Sequence, residues 1–492
     1  MKRLQLSLQI MGALVLWAGV ANATTDTKDL LVKFTDAKAA NRYALRAQTG
    51  GAKIENLGDG QWVRIQFADK QIQDRSLRDL RSNPNVLATQ PNYPVRLLNN
   101  YRVNDPALRA RLAEIREAQA AAPKKPDNLD IPARGPGGSG TDGEYSKQWG
   151  MNDNNVKGSW GQGRGKGTIV AVIDTGVDYT HEDLTDNLWR NAGESGTDSQ
   201  GRNKATNGVD DDNNGFIDDT IGWDFVSNDN KPYDLYMEGL DLLMGGGNPG
   251  HGTHCAGNVG AIADNGRGIA GVAPETKIMV LRFLSEKGEG STAGAIQSIN
   301  YAVKMGAKVL SNSWGSEGED PADGAQNQAL RDAIKAAQDA GVLFIAAAGN
   351  GHQGVGYDND KDAKPAYPAS YDHENIVSVA ALDSGDKLGS FSNWGSKSVD
   401  IGAPGVVVFS TTAGGKYSDT VIDMYGIKAT WDGTSMATPH VAGAAALYWS
   451  VNPNATWREV RDAIMKSSKP INSLNGKSVS GGKLNVENLM KY

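Results

Sequence analysis

The chain of 492 residues has one cysteine, Cys255, and this scarcity sets the first limit on its structure. A single thiol cannot form an intramolecular disulfide, so the folded chain must be stabilised by packing or by a bound metal. The N-terminal region also lacks a cysteine that could carry a lipid anchor. Its apolar stretch, from Ile10 to Val20, is too short to span a bilayer. The sequence therefore predicts no stable membrane anchor.

The first 23 residues have the pattern of a secretory signal peptide. Lys2 and Arg3 precede the short apolar stretch, and Ala21-Asn22-Ala23 has the small-x-small form of a cleavage site. We therefore expect the protein to be secreted, either to the extracellular space or to the periplasm.

Basic residues are outnumbered, 50 to 57, by acidic ones, which gives the chain a net charge of -7. The imbalance is uneven, because residues 24–143 carry 19 basic and 14 acidic side chains whereas residues 144–492 have a net charge of -14. A basic leader before an acidic body suits an intramolecular partner and argues against a nucleic-acid surface on the body. Two solvated faces would give the same charge pattern.

Two differently composed segments follow the predicted signal peptide. In residues 24–98, the apolar segments LLVKF, WVRIQF and VLAT accompany a helical stretch from Gln71 to Arg81, which predicts a small α+β domain. Residues 99–143 end in PKKPDNLDIPARGPGGSGTDG, and this Pro/Gly composition is typical of a flexible linker. The remaining residues, 144–492, form the main domain.

In the main domain, apolar segments alternate with helical ones. The predicted buried strands are 168–174, 277–284, 308–313, 342–348 and 375–381, and the predicted helices between them are 295–305 and 327–340. Repeated βαβ units predict a doubly wound, mostly parallel α/β sheet. Such sheets bind ligands beyond the carboxyl ends of their strands, where Asp174 and Asn350 are expected to lie.

Ser435 has the sequence context of a nucleophile. It lies in GTSMATPH, where a glycine-flanked turn enters an apolar helix predicted from Thr434 to Ser450. A serine hydroxyl reacts only if a base removes its proton and donors stabilise the resulting oxyanion. Candidate partners lie upstream, since TIVAVID ends in Asp174 and His251 opens HGTHCAG.

The segments DTGVD from 174, HGTHCAG from 251, AAAGN from 346 and GTSMATPH from 433 resemble the four sequence blocks of the subtilases, the subtilisin-like serine proteases. The resemblance runs from about Gln148 to the C-terminus. It implies that Ser435 is the nucleophile, His251 the general base and Asp174 the carboxylate that orients the imidazole. Asn350 and the Ser435 backbone N–H would form the oxyanion hole. A secreted endopeptidase acting on proteins or peptides, without an organic cofactor, is implied.

Residues 24–98 are similar to a subtilase prodomain. The similarity implies that this domain assists folding and acts as an intramolecular inhibitor. It also implies that the enzyme removes the domain by autocatalytic cleavage, with the first cut between Leu98 and Trp149.

The resemblance also implies that a substrate peptide is bound as an added β-strand between two extended segments. The matching residues are Gly288, Glu289, Gly290, Ser313, Trp314 and Gly315. Main-chain pairing does not read side chains, which favours broad specificity adjusted by a few pockets. Trp314 is predicted either to form the wall of an apolar pocket or to lie in the core, and Glu289 to favour basic side chains.

Two segments are candidate calcium sites. The run 210–219 spaces oxygen ligands as the first half of an EF-hand loop does, but Ile221 replaces the bidentate glutamate of the twelfth position. Its candidate ligands are Asp210, Asp212, Asn214, Asp218 and Asp219. A second site, implied by the resemblance alone, has Gln148, Asp183 and Asn265 as ligands. Acidic loops of this kind are also often only solvated.

Several alternative functions can be weighed on the same residues. A processing protease for one defined partner is the main alternative to an enzyme of general degradation. An inactive, calcium-stabilised binding homologue would usually lack a triad member, and none is missing here. An esterase of the α/β-hydrolase type needs a Gly-x-Ser-x-Gly motif and the order Ser, Asp, His, and Ser435 has neither. Cys255 has no second base of its own, which argues against a cysteine protease.

Overall fold

The computed structural model describes residues 29–48, 52–98, 110, 112, 125–126, 140–316 and 327–492. The predicted signal peptide and most of the predicted linker lie outside these ranges. Among the described residues, no helix combines the length and the apolar character needed to cross a membrane.

The N-terminal domain is a four-stranded antiparallel sheet with two helices. Its strands are, in spatial order, Lys53–Asn56, Trp62–Gln66, Asp29–Phe34 and Val86–Pro91. The predicted helix is present at Lys70–Ser82, where the Asp69 side chain caps the N-terminus by accepting a hydrogen bond from Ile72 N. A second helix, Ala37–Gln48, was not predicted from the sequence.

Side-chain alternation in the strand Asp29–Phe34 explains how this domain meets the rest of the chain. Leu30, Val32 and Phe34 are buried in the domain's own core. Leu31 points to the opposite face and belongs to a core cluster formed mainly by the large domain. The small sheet therefore has its own core on one face and packs against the large domain with the other.

The large domain is built on a nine-stranded sheet that is parallel except for one edge strand, and the predicted α/β fold class is confirmed. The strands are, in spatial order, Lys469–Pro470, Gly482–Lys483, Ile401–Pro404, Ile376–Leu382, Leu343–Ala347, Val309–Asn312, Ile169–Asp174, Lys277–Arg282 and Gly222–Asp224. The principal helices are His251–Gly260, Thr292–Lys304, Gln328–Asp339, Thr434–Val451 and Trp457–Ser467.

Helices cover both faces of this sheet, which is why its strands are continuously apolar. In Ile169–Asp174, Val170 and Val172 point into a cluster that includes residues of the helices His251–Gly260 and Thr434–Val451. Ala171 and Ile173 point into the opposite cluster, with residues of Thr292–Lys304 and Gln328–Asp339.

Shorter helices and two hairpins complete the large domain. The short helices are Trp149–Asp153, Val156–Ser159, Gly239–Gly245 and Val486–Lys491, and two hairpins pair Ser410–Thr412 with Lys416–Ser418 and Thr420–Met424 with Ile427–Thr430. A separate three-stranded sheet consists of Trp314–Gly315, Pro94–Leu97 and Glu289–Ser291. Its middle strand comes from the N-terminal part of the chain.

Candidate active site

Ser435 is the second residue of the helix Thr434–Val451, and the sequence of that helix leaves its carbonyl oxygen open. Pro439 stands four residues later and has no N–H to donate to the Ser435 carbonyl. Two side chains donate to that oxygen instead, Ser313 Oγ at 2.9 Å and Cys255 Sγ at 3.5 Å. The start of the helix is therefore held in place by neighbouring elements.

His251 opens the helix His251–Gly260, and Asp174 ends the strand Ile169–Asp174. Their side chains are fully buried and joined by a 2.8 Å hydrogen bond between His251 Nδ1 and Asp174 Oδ1, which also accepts from Thr175 N at 2.7 Å. Burial disfavours the imidazolium, but the charge of Asp174 outweighs it and raises the pKa of His251 well above 6.5. The pair can therefore hold a proton transferred to Nε2.

The hydroxyl of Ser435 and the Nε2 atom of His251 are not joined in this structure. Ser435 Oγ donates to the carbonyl oxygen of Ser313 at 3.1 Å, and His251 Nε2 has no hydrogen-bond partner among the described residues. Catalytic hydrogen bonds are often formed only when substrate is bound. To act as the predicted nucleophile, Ser435 would have to exchange its bond to Ser313 for one to His251.

Asn350 is fixed by the residue that precedes Ser435. Its Oδ1 atom accepts from the backbone N and from the Oγ1 of Thr434, both at 2.9 Å. With the amide oxygen bound to Thr434, the Nδ2 group is the end of the side chain that can donate to a developing oxyanion.

Comparison with known proteins agrees with this geometry, because the family model described as the Subtilase family matches residues 165–487. The chain belongs to the subtilase family. Thermitase of Thermoactinomyces vulgaris is 32% identical to it over 347 residues, which are 70% of this chain and 97% of thermitase. The thermophilic serine proteinase of Bacillus sp. (strain AK1) is 34% identical over 346 residues, 70% of this chain and 67% of that protein. This subtilase is therefore a serine peptidase of the α/β class.

A buried carboxylate that the sequence did not reveal links the elements of this subtilase's site. Asp234 Oδ1 accepts from Thr175 Oγ1 at 2.8 Å and from Asn248 Nδ2 at 2.6 Å. Its Oδ2 accepts from Thr253 N at 2.9 Å and from Thr253 Oγ1 at 2.6 Å. Asn248 Oδ1 in turn accepts from His251 N at 2.8 Å. Asp234 thereby joins the strand end at Asp174 to the helix that carries His251.

The two segments predicted to bind substrate hold a strand of the same chain. Val95 pairs with Gly290 and Arg96 pairs with Gly315, both in antiparallel register. Leu97 N donates to the carbonyl of Gly288 at 2.9 Å. Gly288 allows this close approach, since a Cβ there would lie 3.0 Å from the Leu97 Cβ and its φ of +71° is one that glycine favours.

Of the two roles that were open for Trp314, the structure shows that of a core residue. It is fully buried, with its ring 5.0 Å from that of Phe283, and it belongs to the core cluster that also contains Val95 and Leu97. The side chains of the inserted strand therefore pack against the same apolar cluster as Trp314. Glu289 is exposed at the rim, directly opposite Arg96.

The acidic loop differs in part from the predicted ligand set. Carboxylate oxygens of Asp212, Asp219 and Glu194 lie within 4.8 Å of one another, and Glu194 was missed because it stands 16 residues before the Asp run. Burial raises the pKa of Glu194 to about 7 and that of Asp219 to about 6.

The other predicted ligands of this loop add no carboxylate to this cluster. Asp210 accepts from the backbone N atoms of Asn214 and Gly215, and Asp218 accepts from Gly208 N. Asn214 donates its Nδ2 to Asp219 at 2.8 Å. Asp210 and Asp218 therefore stabilise the loop backbone and do not join the cluster.

At the second predicted site, Asp183 and Asn265 are in contact but Gln148 bonds elsewhere. Asn265 Nδ2 donates to Asp183 Oδ1 at 2.7 Å. Gln148 forms two hydrogen bonds with the backbone of Ala270, at 2.9 and 3.0 Å. Asp142 completes the region by accepting from the backbone N of Asn265 at 3.1 Å.

The remaining histidines near the triad are structural. His254 stacks on Trp431 with ring centroids 4.2 Å apart, and burial lowers its pKa well below 6.5. Burial likewise lowers the pKa of His440 to about 4. The thiol of Cys255 lies 3.8 Å from His251 Nδ1, and burial raises its pKa, which favours the protonated thiol.

Proposed function

We propose that this subtilase is a secreted endopeptidase that cuts peptide bonds through an acyl-enzyme on Ser435, and that its first substrate is its own chain. The observation that carries the proposal is the strand Pro94–Leu97, which lies between the two substrate-binding segments as a substrate peptide would.

The strand register identifies the bond that would be cut. Leu97 pairs with Trp314 in antiparallel register, so the next residue, Leu98, faces Ser313. The carbonyl of Ser313 contacts Ser435 Oγ at 3.1 Å. This register would bring the carbonyl carbon of Leu98 to the nucleophile, and we therefore propose that the first cut falls between Leu98 and Asn99.

The chemistry follows from the positions of the triad residues. Ser435 Oγ attacks the substrate carbonyl carbon while His251 Nε2 takes the hydroxyl proton, and Asp174 stabilises the imidazolium formed. The Asn350 amide and the Ser435 backbone N–H hold the oxyanion. Collapse of this intermediate breaks the C–N bond, and His251 returns the proton to the leaving amine. Water then attacks the acyl-enzyme by the same route and releases the acid.

The contacts of residues 29–98 support an inhibitory role for that domain. At the helix Thr292–Lys304, Ala293 N donates to Asn92 Oδ1, and at the helix Gln328–Asp339, Ala329 N donates to Gln90 Oε1, both at 2.9 Å. These bonds satisfy backbone donors at two helix N-termini. The domain is thereby held over the cleft, and its last strand would remain as an inhibitor after the cut.

We further propose calcium as a structural ligand at the cluster of Glu194, Asp212 and Asp219. The residues fit a cation, because Glu194 is fully buried and its Oε2 has no hydrogen-bond partner among the described residues. Calcium prefers carboxylate oxygens and would offset their mutual repulsion. Bound calcium would join the acidic loop to the preceding segment. Asp183 and Asn265 remain a second candidate calcium site, to which the structure adds Asp142 as a possible ligand.

The deciding experiment is expression of Ser435→Ala alone, in a host without other extracellular proteases, followed by N-terminal sequencing. We expect a folded, signal-cleaved precursor that retains residues 24–98, whereas the wild type begins at Asn99. Asn350→Ala should process slowly, because the Ser435 backbone N–H remains. Normal maturation of Ser435→Ala would refute autocatalysis.

A second measurement separates general degradation from processing of one partner. The mature enzyme is incubated with a denatured protein mixture and the products are identified by mass spectrometry. Many cuts that share apolar residues before the bond would support an endopeptidase of broad specificity. Cleavage of no protein in the mixture, together with normal self-processing, would favour a single defined partner.

A further inference from the structure

Two residues well inside the predicted linker, Leu112 and Lys125, contact the large domain. Leu112 is 2% exposed and lies in a buried apolar cluster. The other buried members of this cluster are Leu240, Leu242, Leu243, Ile422 and Ile427. A segment that acted only as a spacer would have no reason to bury a leucine in the domain that it leads into.

The groove that holds Leu112 is formed by the helix Gly239–Gly245 and the hairpin of Thr420–Met424 and Ile427–Thr430. Both elements lead directly into the active site. The helix is followed by Asn248, which binds His251 N, and the hairpin is followed by Trp431, whose ring lies 6.4 Å from that of His251. Leu112 therefore packs on the two elements that lie just before Asn248 and Trp431 in the chain.

A second contact is ionic. Lys125 Nζ lies 2.8 Å from Asp224 Oδ2 and 2.7 Å from Asp229 Oδ1. Arg282 Nη1 contacts the same Asp224 oxygen at 2.8 Å, and both side chains of that pair are almost fully buried. Glu286 also contacts Arg282, so without Lys125 the carboxylates of Asp224 and Glu286 share one guanidinium and Asp229 loses its contact with the lysine. The linker lysine thus balances a partly buried cluster of negative charge.

The chain then joins the large domain through a third set of contacts. Gly266 N donates to the Gly140 carbonyl at 3.2 Å, and Asp142 accepts from the backbone N of Asp264 and of Asn265. Two anchors upstream of a covalent attachment bind at high effective concentration, so each can be weak and still be occupied.

We propose that residues 99–139 are retained after maturation as an N-terminal arm of the active enzyme, anchored by Leu112 in the groove and by Lys125 on Asp224 and Asp229. This rests on the proposed cut between Leu98 and Asn99, which leaves the arm on the catalytic side. Discarding the arm would expose the apolar groove beside the active site and leave the acidic cluster unbalanced. The arm is therefore an intramolecular ligand that stabilises the mature domain.

The test uses the full-length chain with Leu112→Asp and, as matched control, Ala110→Asp, because Ala110 lies two residues away and is exposed. Mature enzyme is isolated after self-processing, and its N-terminus, intact mass and melting temperature are measured. We expect the wild type and Ala110→Asp to begin at Asn99. Leu112→Asp should be trimmed to an N-terminus beyond residue 112 and should melt a few degrees lower.

The ionic anchor is tested by charge reversal. Lys125→Glu should lower the melting temperature and expose the arm to trimming, and adding Asp229→Lys should restore part of both. If Leu112→Asp yields no protein, Leu112→Ala provides the same comparison without a new charge. Retention is overturned if wild-type mature enzyme starts at or after Gly140, or if Leu112→Asp and Leu112→Ala behave as Ala110→Asp does.

The experiments distinguish an error in the proposed retention of residues 99–139 from an error in the proposed self-cleavage. If Ser435→Ala matures normally, self-cleavage is refuted, yet the melting temperatures of the isolated Leu112→Asp and Ala110→Asp proteins still report on the anchor. If Ser435→Ala stays unprocessed while the wild type loses residues 99–139, autocatalysis stands and the retained arm is refuted.

Discussion

Asp234 Oδ1 accepts a hydrogen bond from Thr175 Oγ1 at 2.8 Å, so a buried carboxylate is tied to the residue that follows Asp174. Its other oxygen is bound twice by Thr253, in the first turn of the helix that begins at His251. Burial raises the pKa of Asp234, and these donors favour its charged form. One side chain thereby sets the spacing between the strand and the helix that carry the acid and the base.

Asp234→Asn tests this positioning role. An amide nitrogen cannot accept, so at least one of the threonine donors loses its partner, at a cost of about 1–3 kcal/mol for a buried donor. We expect kcat to fall about tenfold or more with little change in KM. Thr253→Ser, which keeps the hydroxyl, should retain near-normal kcat, whereas Thr253→Val should resemble Asp234→Asn. Equal losses in kcat for both Thr253 variants would contradict the role.

The His251 environment predicts an enzyme that is active at alkaline pH. A general base must be deprotonated, and Asp174 raises the pKa of His251 well above 6.5, so activity should increase as pH rises through that higher value. A profile of kcat/KM against pH measures the midpoint. His254 and His440 have lowered pKa values and stay neutral across this range. A midpoint at or below 6.5, with the fold shown intact by circular dichroism, would contradict the prediction.

Calcium removal should destabilise the mature enzyme, and more so at higher pH. The folded-state pKa values of Glu194 and Asp219 are raised to about 7 and about 6. Without a cation, the free energy of unfolding of the protein therefore falls as pH rises through about 6 to 7. Calcium binds the deprotonated carboxylates, and its stabilisation should be larger at about pH 8 than at about pH 5. Differential scanning calorimetry with and without chelator measures both effects.

Glu194→Gln provides the matched test of that calcium prediction. It should remove most of the calcium-dependent rise in melting temperature. Asp211→Asn, which makes the same charge change in the same loop outside the carboxylate cluster, should retain that rise. A chelator that leaves the wild-type melting temperature unchanged at pH 8 would show that the loop holds no stabilising metal.

The sequence predicted those parts of the molecule whose signals are local. Strands such as Ile169–Asp174 are continuous apolar runs, and the helix of Ser435 begins at a glycine turn. The helix Ala37–Gln48 was not predicted because its buried face consists mainly of alanines, which give little apolar periodicity.

The residues that the sequence did not reveal act through long-range hydrogen bonds. Asp234 binds Thr175, 59 positions earlier, and no spacing rule connects the two. Glu194 meets Asp219 only because the intervening loop folds back. Leu112 has the same limitation, since its apolar contacts lie more than a hundred residues away and a Pro/Gly-rich segment follows it. Such partners become visible only when the chain is folded.

Glu289 should set a preference for a basic residue two positions before the residue whose carbonyl is cut. In the precursor that position is Arg96, which lies opposite Glu289 in the strand register, with Leu98 as the residue at the nucleophile. Because Glu289 is exposed, its attraction to the basic side chain is screened and is worth about 0.2–1 kcal/mol. The preference for Arg over Gln should therefore be at most about fivefold in kcat/KM.

The variant Glu289→Gln should abolish this preference. Glu286→Gln removes the same charge three residues away, from a carboxylate that faces Arg282, and should leave the preference unchanged. Paired peptides Val-Arg-Leu-Leu and Val-Gln-Leu-Leu, extended beyond the cut, measure the ratio directly. A ratio that is the same in the wild type and in Glu289→Gln would remove this residue from the specificity of the enzyme.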